Sequence, residues 1–466
     1  MNKKVVIIGA GIAGLAAANY FTEQNFDDFV ILEASSEIGG RIKTLPFQKS
    51  FIEFGAQWMH GTENNPVYDI AVSLDAIDES IDKADNWYYS SQDGQRLSDD
   101  LVEPVQKEAQ CLLENLSEMV DENDLSQSIG ALLDDLYPDI EKKFEGEMDS
   151  SVIKGIFQAA LNVEKFENSC DDLHDVSANG WNNFETLGGN LLTNNKYGYG
   201  KIVDYLASKL TGNQLKLNQA VEKIDWSDDE VIITAFDGKQ NKRYKWICEA
   251  VLCTVSLGFL KQNHYELFEP KLPPNKIDAI NCLGFGCLNK IFVVFDQDFE
   301  PDFQGLQVIW REDADFELEN SKEKWNLDDL DFCRALDYFE KLPNHKNVLL
   351  AFTVGSYSEV IEQLEDDCVL DVISELIEKC FAHANLPRPV KIIRSRWSSN
   401  EYAKGSYSYF KVGSSTDDVD ALAQSVQYRL YFAGEATIYK HLGTVHGAYI
   451  SGYEQATKIL SIIEDE

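Results

Sequence analysis

The chain has 466 residues, of which 41 are basic and 79 are acidic, so its formal net charge is −38. A chain of this length can bury a large core, and it favours two or three domains over one. The charge argues against binding to nucleic acid or to phospholipid surfaces and would attract polycations, although an acidic surface that only improves solubility explains the same composition.

The nine cysteines form no C-x-x-C pair and no Cys/His cluster at metal-ligand spacing. We therefore expect reduced cysteines in the core and no metal site. The N-terminus enters an apolar strand directly, and no apolar run approaches the roughly 18 residues of a membrane span. The last residues, SIIEDE, lack a peroxisomal tripeptide. These features favour a soluble protein of the cytoplasm or nucleus that is not secreted.

A glycine-rich turn near the N-terminus is the first motif of the chain. The β-branched run from Val5 to Ile8 predicts a strand buried on both faces. It leads directly into Gly9, Gly11 and Gly14, which form the pattern G-x-G-x-x-G. In such turns the first glycine allows a tight bend, the second lets the backbone approach a pyrophosphate, and the third lets the following helix pack closely. The turn predicts a dinucleotide-binding loop, with simple helix–strand packing as the alternative.

A second apolar strand, from Phe29 to Leu32, delivers Glu33 nineteen residues after Gly14. A carboxylate at this position can accept hydrogen bonds from a ribose diol, and it would repel the 2′-phosphate of a phosphorylated cofactor. Strand, glycines, helix, strand and acid occur in the order of one βαβ unit. The residues alone therefore predict a bound dinucleotide and leave NAD and FAD open.

The middle of the chain predicts a helical segment followed by paired strands. Residues 72–180 are rich in Asp and Glu, and apolar residues recur at helical spacing, as at Val105 and Ala109. We expect a mostly helical insertion whose acidic faces are solvated. A helix is predicted to start near Gly200, and residues 215–237 alternate as two paired strands.

The second half of the chain predicts a return to the nucleotide-binding domain and a further sheet. Residues 246–255 form one apolar run that predicts a buried strand. Residues 284–352 predict a set of strands, and residues 367–384 predict a helix. Residues 431–463 predict a strand, a Gly-Glu turn and a long helix that begins near Thr444.

Four further motifs carry a resemblance to a known family. They are GGR at residues 39–41, GAQWMHG at 55–61, RWSSNEYAKGSYSY at 396–409 and AGEATIYKHLGTVHGAYISG at 433–452. Together with the glycine loop, they make the chain similar to the flavin-containing amine oxidases, and within them to polyamine oxidases of the spermine oxidase type. The resemblance spans nearly the whole chain and implies FAD rather than NAD.

The resemblance implies a mixed α/β fold in which a Rossmann-like FAD-binding domain is interleaved with a substrate-binding domain. We expect the discontinuous FAD-binding domain at residues 1–75, 200–275 and 390–466. The substrate-binding domain, with the acidic helical insertion, is expected at residues 76–199 and 276–389.

The same resemblance implies a set of residues around the cofactor. Glu33 would hold the adenosine ribose, Arg41 would lie near the pyrophosphate, and Glu435 would lie near the ribityl and pyrophosphate groups. Thr444 and Val445 would cap the flavin ring, where the N-terminus of a helix can stabilise the negative charge of a reduced flavin. The other implied residues are Gly9, Gly11, Gly14, Gly40, Gln57, Trp58, Val221, Trp397 and Gly434.

Two residues are implied near the reacting groups. Lys290, at the head of the strand IFVVF, matches the family's lysine that holds a water against the reactive nitrogen of the flavin. Without the resemblance, a lysine at a strand end would be expected to reach solvent. His60 matches the family's substrate-side histidine. The resemblance thus implies a catalytic role for Lys290 and a substrate-binding role for His60.

Aromatic residues near Trp397 are candidates for the walls of an amine site. The resemblance implies this role for Tyr407, while Tyr402 and Tyr409 are further candidates. Tyrosines that alternate along a strand are otherwise typical of cross-strand packing. Thr444 stands where plant relatives place a second aromatic residue, so it belongs to the implied substrate site and leaves open which carbon is oxidised.

The resemblance implies an FAD-dependent oxidase that removes a hydride from the carbon beside a secondary amine of spermine, acetylated spermine or spermidine. The imine would hydrolyse to a shorter polyamine and an aminoaldehyde, and molecular oxygen would reoxidise the flavin and give hydrogen peroxide. The alternatives are a flavin amine oxidase acting on monoamines or on methylated histone lysine, and a flavin-binding scaffold without turnover. The histone demethylases carry chromatin-docking modules for which this sequence offers no counterpart.

Overall fold

The computed structural model describes residues 1–78, 87–120, 124–298, 303–327, 330–384 and 386–465. The chain forms two compact units. The first unit comprises Met1–Ser80, Asn182–Phe285 and Asn400–Glu466, and the second unit comprises Ile81–Trp181 and Gly286–Ser399. Their bounds differ from those of the two predicted domains, and the assignment of FAD and substrate to particular segments stays a prediction.

The strands, in chain order, are β1 (Val5–Ile8), β2 (Phe29–Leu32), β3 (Thr44–Phe47), β4 (Ser50–Glu53), β5 (Trp58–His60), β6 (Ile77–Asp78), β7 (Trp87–Ser91), β8 (Arg96–Leu97), β9 (Leu192–Asn195), β10 (Leu215–Lys216), β11 (Ala220–Asp225), β12 (Val231–Asp237), β13 (Lys242–Cys248), β14 (Ala250–Cys253), β15 (Phe268–Glu269), β16 (Gly284–Phe285), β17 (Leu288–Phe295), β18 (Gly305–Ile309), β19 (Tyr338–Lys341), β20 (Val348–Val354), β21 (Pro389–Arg394), β22 (Ser408–Tyr409) and β23 (Leu430–Phe432). The α-helices are α1 (Ile12–Glu23), α2 (Pro66–Ser73), α3 (Asp99–Asn115), α4 (Ile129–Lys143), α5 (Ser150–Asn168), α6 (Ala178–Trp181), α7 (Gly200–Ser208), α8 (Leu257–Leu267), α9 (Pro274–Cys282), α10 (Glu319–Trp325), α11 (Gly355–Gln363), α12 (Asp366–Cys380), α13 (Thr416–Ala423) and α14 (Val445–Asp465).

A parallel sheet of order β10-β2-β1-β14-β23 runs through the first unit. Val5 pairs with Phe29 on one side and with Ala250 on the other. Every residue of β1 and β2 is buried, as the unbroken apolar runs predict for a sheet covered on both faces. Val5 joins a core with α1 and α14, whereas Val6 joins a core with the four-stranded sheet β13-β12-β11-β15. The predicted strands and the helix after the glycines are confirmed.

The apolar run at residues 246–255 is not one strand. β13 ends at Cys248 in the four-stranded sheet, and β14 begins at Ala250 in the parallel sheet. Glu249 lies exposed between them, and the chain changes sheets there. Residues 215–216 also leave the predicted pair, because β10 joins the parallel sheet while β11 and β12 pair antiparallel as expected. Hydrophobicity alone could not separate these strands, since both sheets bury one apolar face against the same core.

A seven-stranded sheet of order β21-β17-β20-β19-β18-β7-β8 forms the second unit together with the helices that cover it. One face, which includes Ile291 and Ala351, packs against Val372 of α12. On the other face, the side-chain amide of Gln307 in β18 donates to the carbonyl oxygen of Ala159 in α5 at 3.4 Å. Side chains alternate between the two faces along each strand.

Residues 72–180 contain α3, α4 and α5, so the predicted helical segment is confirmed. The same residues also supply β6, β7 and β8, which the sequence did not predict, and β7 pairs in parallel with β18. Residues 79–86 and 121–123 lie outside the described residues. The helix predicted at 367–384 is α12, and the long C-terminal helix begins at Val445, as expected.

All nine cysteines are reduced thiols, and seven of them are buried, as expected for core residues. Burial raises the pKa of the Cys253 thiol to about 12, so this thiol stays protonated. Within the described ranges, no helix is both long and apolar enough to cross a membrane.

Candidate active site

The glycines of the N-terminal loop have different surroundings. Gly9 has φ +104°, and a Cβ there would lie 2.7 Å from Oγ1 of Thr254. A Cβ on Gly14 would lie 2.1 Å from the carbonyl oxygen of Gly9, so the fold itself requires both glycines. A Cβ on Gly11, the N-cap of α1, would meet no other atom within 4 Å in the described part of the chain, and the nearby Gly40 has φ +59°. The open space at a helix N-terminus fits a bound phosphate.

Glu33 supports the glycine loop. One carboxylate oxygen accepts a hydrogen bond from the backbone N of Ala10 at 2.7 Å, and the other accepts one from the backbone N of Ser35 at 2.8 Å. An ionised carboxylate has about four acceptor positions, so acceptor capacity remains for a ribose diol. The backbone N of Gln219 donates to the carbonyl oxygen of Glu33 at 2.8 Å, which brings the bulge at Val221 in β11 near this segment.

Arg41 and Glu435 form an ion pair with 2.7 Å between Nη1 and Oε1. The same nitrogen of Arg41 donates to the carbonyl oxygen of Ser406 at 2.8 Å. The second carboxylate oxygen of Glu435 accepts from the backbone N of Ser408 at 3.2 Å. The GGR, KGSYSY and GEAT segments therefore meet at one buried carboxylate. A guanidinium has five N–H donors, so Arg41 retains donors for an anionic ligand.

Thr444 is the N-cap of α14, because its Oγ1 accepts a hydrogen bond from the backbone N of Gly447 at 3.0 Å. The helix begins at Val445, so its positive dipole end lies at these two residues. Gly434 has φ +138°, and a Cβ there would meet nothing within 4 Å among the described residues. Its backbone N donates to Oγ of Ser451 in α14 at 2.9 Å. The helix end and the open side of Gly434 thus belong to one local structure.

Tyr407 lies beside the residue that precedes the cap of α14. A Cβ on Gly443 would lie 3.5 Å from Cδ2 of Tyr407 and 3.2 Å from the carbonyl oxygen of Ser408. Gly443 is followed directly by Thr444. The fold therefore brings together the two predicted substrate-site residues Tyr407 and Thr444.

The neighbouring tyrosines have other surroundings. A Cβ on Gly284 would lie 2.6 Å from Cζ of Tyr409, so the ring of Tyr409 fills the space above this glycine. Tyr402 lies in a turn in which Oδ1 of Asn400 accepts from its backbone N at 3.0 Å. β22 contains only Ser408 and Tyr409. The alternative of tyrosines that alternate along one strand does not apply, because the chain turns between Tyr402 and β22.

His446 lies near two other histidines of the first unit, His441 and His60, whose charges act on its pKa. The rings of His441 and His446 are 4.8 Å apart in a T-shaped arrangement. Burial lowers the pKa of His446 to about 3, and charge on His441 or His60 acts in the same direction, so His446 is neutral. Its Nε2 has no hydrogen-bond partner among the described residues, which leaves it available to a ligand. Sequence reasoning selected His60 alone, although both other histidines lie in the motif at 433–452.

The remaining first-unit candidates lie just after the GGR motif. Gln57 is buried and Trp58 is half-buried at the start of β5. The backbone N of Ala56 donates to the carbonyl oxygen of Arg41 at 3.2 Å. The fold therefore places Gln57 and Trp58 close in space to the segment that carries Arg41.

In the second unit, Lys290 is the third residue of β17 and only 3% exposed, so it does not reach solvent. Its backbone N donates to Oγ of Ser395 at 2.9 Å, and its Nζ lies 6.0 Å from the centroid of the Phe352 ring. Its positive charge lowers the pKa of Glu340 against the effect of burial. The alternative in which Lys290 reaches solvent is therefore excluded, while its catalytic role stays a prediction. A buried lysine is costly, and such residues concentrate at functional sites.

Trp397 is also in the second unit, next to β17. It is buried, and its backbone N donates to Oδ1 of Asn289 at 3.0 Å. Asn289 directly precedes Lys290, so one strand carries the buried lysine and holds the segment of Trp397.

The first-unit features together fit a flavin dinucleotide. Gly11 leaves room beside a helix N-terminus for a pyrophosphate, and Arg41 has donors for the same anion. Glu33 has acceptors for a ribose. The positive end of α14 can stabilise negative charge on a reduced ring.

A family model described as flavin containing amine oxidoreductase matches residues 12–460. Probable polyamine oxidase 5 of Arabidopsis thaliana is 30% identical over 98% of this chain and 98% of its own. The peroxisomal N(1)-acetyl-spermine/spermidine oxidase of Homo sapiens is 29% identical over 98% and 95%. Lysine-specific histone demethylase 2 of Homo sapiens is 32% identical over 98% of this chain and 53% of its own. The chain therefore belongs to the flavin-containing amine oxidoreductase family and is an FAD-dependent amine oxidase.

Proposed function

We propose that the protein is a polyamine oxidase that oxidises the carbon beside a secondary amine of spermine, acetylated spermine or spermidine. The products are a shorter polyamine, an aminoaldehyde and hydrogen peroxide. The observation that carries the proposal is the similarity to a probable polyamine oxidase over 98% of both chains. The net charge of −38 supports a polycationic substrate, because an acidic surface concentrates polycations at low salt.

In this proposal the first unit supplies most of the cofactor contacts. Bound FAD accepts a hydride and passes the electrons to oxygen. Glu33 binds the adenosine ribose through its remaining acceptors, and Arg41 binds the pyrophosphate while Glu435 holds its guanidinium in place. Thr444 and Val445 present the positive end of α14 to the flavin ring.

The substrate must lose a proton before it reacts, because a cationic amine has no electron pair with which to form the imine. Tyr407 provides an aromatic wall for the neutral amine, and a desolvated site favours that neutral form. His60 contacts the substrate, and Lys290 holds a water for the reaction. These roles follow the resemblance, and the burial of Lys290 supports its role.

The proposal is tested by steady-state release of peroxide from spermine, acetylated spermine, spermidine and benzylamine at two salt concentrations. We expect the polyamines to be oxidised much faster than benzylamine, and we expect catalytic efficiency for spermine to fall as salt is added. Equal or faster turnover of benzylamine would leave an amine oxidase that does not act on polyamines.

A second candidate is oxidation of methylated lysine, which the similarity to a lysine-specific histone demethylase supports. The similarity covers 53% of that demethylase, so the rest of the demethylase is not part of the comparison. A peptide that contains dimethyl-lysine distinguishes the two functions. Release of formaldehyde from this peptide at rates above those for spermine would favour the second candidate.

A further inference from the structure

One face of the second-unit sheet combines Lys290 with a carboxylate. Lys290 pairs with Phe352 across β17 and β20, and Glu340 pairs with Leu350 across β19 and β20. Leu350 and Phe352 are two residues apart and so point to the same face. The Lys290 and Glu340 side chains therefore lie on one face, opposite the face that packs against α12.

Tyr338, whose hydroxyl contacts this carboxylate, packs among other aromatic side chains. The ring of Tyr338 lies 4.8 Å from that of Trp87, 6.2 Å from that of Phe352 and 6.1 Å from that of Phe166 in α5. Trp87, Tyr338 and Phe166 are all partly exposed. A cation is attracted to aromatic faces, and this attraction grows where water is excluded. The aromatic cluster is thus suited to an organic cation.

Glu340 is itself suited to receive a positive charge. It is half-buried, and one carboxylate oxygen accepts from the hydroxyl of Tyr338 at 3.3 Å. Its pKa is raised to about 7, because burial raises it more than the charge of Lys290 and the hydrogen bond from Tyr338 lower it. A partly desolvated carboxylate gains more from a bound cation than an exposed one does.

The distance between Lys290 and Glu340 can be compared with the distance between neighbouring nitrogens of a polyamine. The two residues lie two strands apart and two positions out of register, which for ordinary sheet geometry gives about 12 Å between their Cα atoms. The end groups are close enough for their charges to interact, because the charge of Lys290 lowers the pKa of Glu340. A polyamine carries its next ammonium only a few carbons from the reacting nitrogen.

We propose that Glu340, with Tyr338 and Trp87, binds a second ammonium group of a polycationic amine whose reacting carbon is oxidised next to Lys290. This inference rests on the proposed function. Glu340 then selects polyamines over monoamines. Its loss weakens substrate binding without slowing the chemical step.

The test compares Glu340→Gln with the wild-type holoenzyme on two substrates. Spermine is one, and N-propylbutylamine is the other, because it has a secondary amine between two alkyl chains and no further nitrogen. We expect KM for spermine to rise at least about tenfold, which corresponds to roughly 1.4 kcal/mol, with kcat changed less than about twofold. KM for N-propylbutylamine stays within about twofold of wild type, because this amine offers nothing for Glu340 to bind.

Two control variants separate the loss of this particular carboxylate from a general loss of negative charge. Glu323→Gln removes one carboxylate from an exposed position of α10 and leaves KM for both amines unchanged. Glu340→Asp keeps the charge and recovers part of the affinity for spermine. Thermal unfolding of each variant shows whether the second unit stays folded.

Each outcome has a definite meaning. An unchanged spermine KM in Glu340→Gln overturns the inference while leaving the proposed function intact. An equal loss of kcat on both amines also overturns it, because Glu340 would then act through Lys290. A wild-type protein that reduces its flavin with neither amine overturns the proposed function and this inference with it.

Discussion

Asn289 and Glu362 are joined by a hydrogen bond of 2.6 Å from Nδ2 to Oε1. Glu362 also accepts from the backbone N of Ser398 at 2.9 Å and of Ser399 at 2.8 Å. Oδ1 of Asn289 accepts from the backbone N of Trp397. One amide and one carboxylate therefore fix the segment at 397–399 against the strand that carries the catalytic candidate.

Glu362→Gln places an N–H donor opposite groups that are themselves donors. We expect this variant to lower the free energy of unfolding by roughly 1–3 kcal/mol, because the amide nitrogen of Gln cannot accept and at least one donor of the network loses its partner. Urea unfolding of the holoenzyme measures the effect. The matched control is Glu359→Gln, an exposed carboxylate that accepts from Oγ of Ser398 at 3.0 Å and whose loss costs less than about 0.5 kcal/mol. Equal effects of the two substitutions would show that the network contributes no particular stability.

Substitutions in the glycine loop separate folding from cofactor binding. Gly11→Val places a side chain in open space, so we expect a folded protein that has lost most of its FAD. Gly14→Val places a side chain against the carbonyl oxygen of Gly9, so we expect a protein that does not fold. Circular dichroism and the flavin absorbance after gel filtration measure both effects. Stoichiometric flavin in the Gly11→Val protein would contradict the assignment of this loop.

Lys290→Met keeps a long side chain in a buried position but removes the group that can hold a water. We expect retained fold and FAD, with flavin reduction or reoxidation slowed at least about tenfold, or about 1.4 kcal/mol. Stopped-flow measurement of both half-reactions checks this. Lys391→Met on β21 is the control, since Lys391 is exposed and its loss leaves both rates unchanged. Wild-type rates in both half-reactions of the Lys290→Met protein would exclude the catalytic role.

The glycine loop and the C-terminal helix were predictable because their signals are local. Gly9, Gly11 and Gly14 act within one turn, and the strand before them is apolar at every position. Lys290 shows the limit of such signals. Its neighbours Phe352 and Glu340 are far away in sequence and are brought to it only by sheet pairing. Burial of this lysine therefore could not be deduced from its position near a strand end.

The break between the two sheets at Glu249 had a weak signal. A single charged residue interrupts the apolar run, but charged residues also occur within strands with one exposed face. The role of Glu362 had no sequence signal, because its partners Asn289 and Ser398 lie on separate elements. Its importance depends on which loop packs beside β17.

The raised pKa of Glu340 predicts how spermine binding depends on pH. Lys290 on β17 and Tyr338 on β19 are the titratable neighbours that act on this pKa, and both oppose its rise to about 7. The carboxyl is ionised above this value and neutral below it. Pairing with an ammonium is therefore complete at higher pH and is lost as the pH falls through about 7.

We expect the ratio of spermine KM in Glu340→Gln to that in wild type to be large at alkaline pH and to approach one about one pH unit or more below the pKa of Glu340. The ratio cancels the titration of the reacting nitrogen of spermine, which is common to both proteins. Steady-state kinetics at matched ionic strength measures it. A ratio that is independent of pH would contradict the ionised form of Glu340 as the binding form.

Oxidation of polyamines by bound FAD is tested most directly by mixing the purified yellow protein with spermine in the absence of oxygen. We expect the visible absorbance of the flavin to bleach in a single turnover, and to do so far faster with spermine than with benzylamine at the same concentration. Admission of oxygen should restore the absorbance and release hydrogen peroxide. A flavin that stays oxidised with spermine, or that bleaches as fast with benzylamine, would contradict a polyamine oxidase.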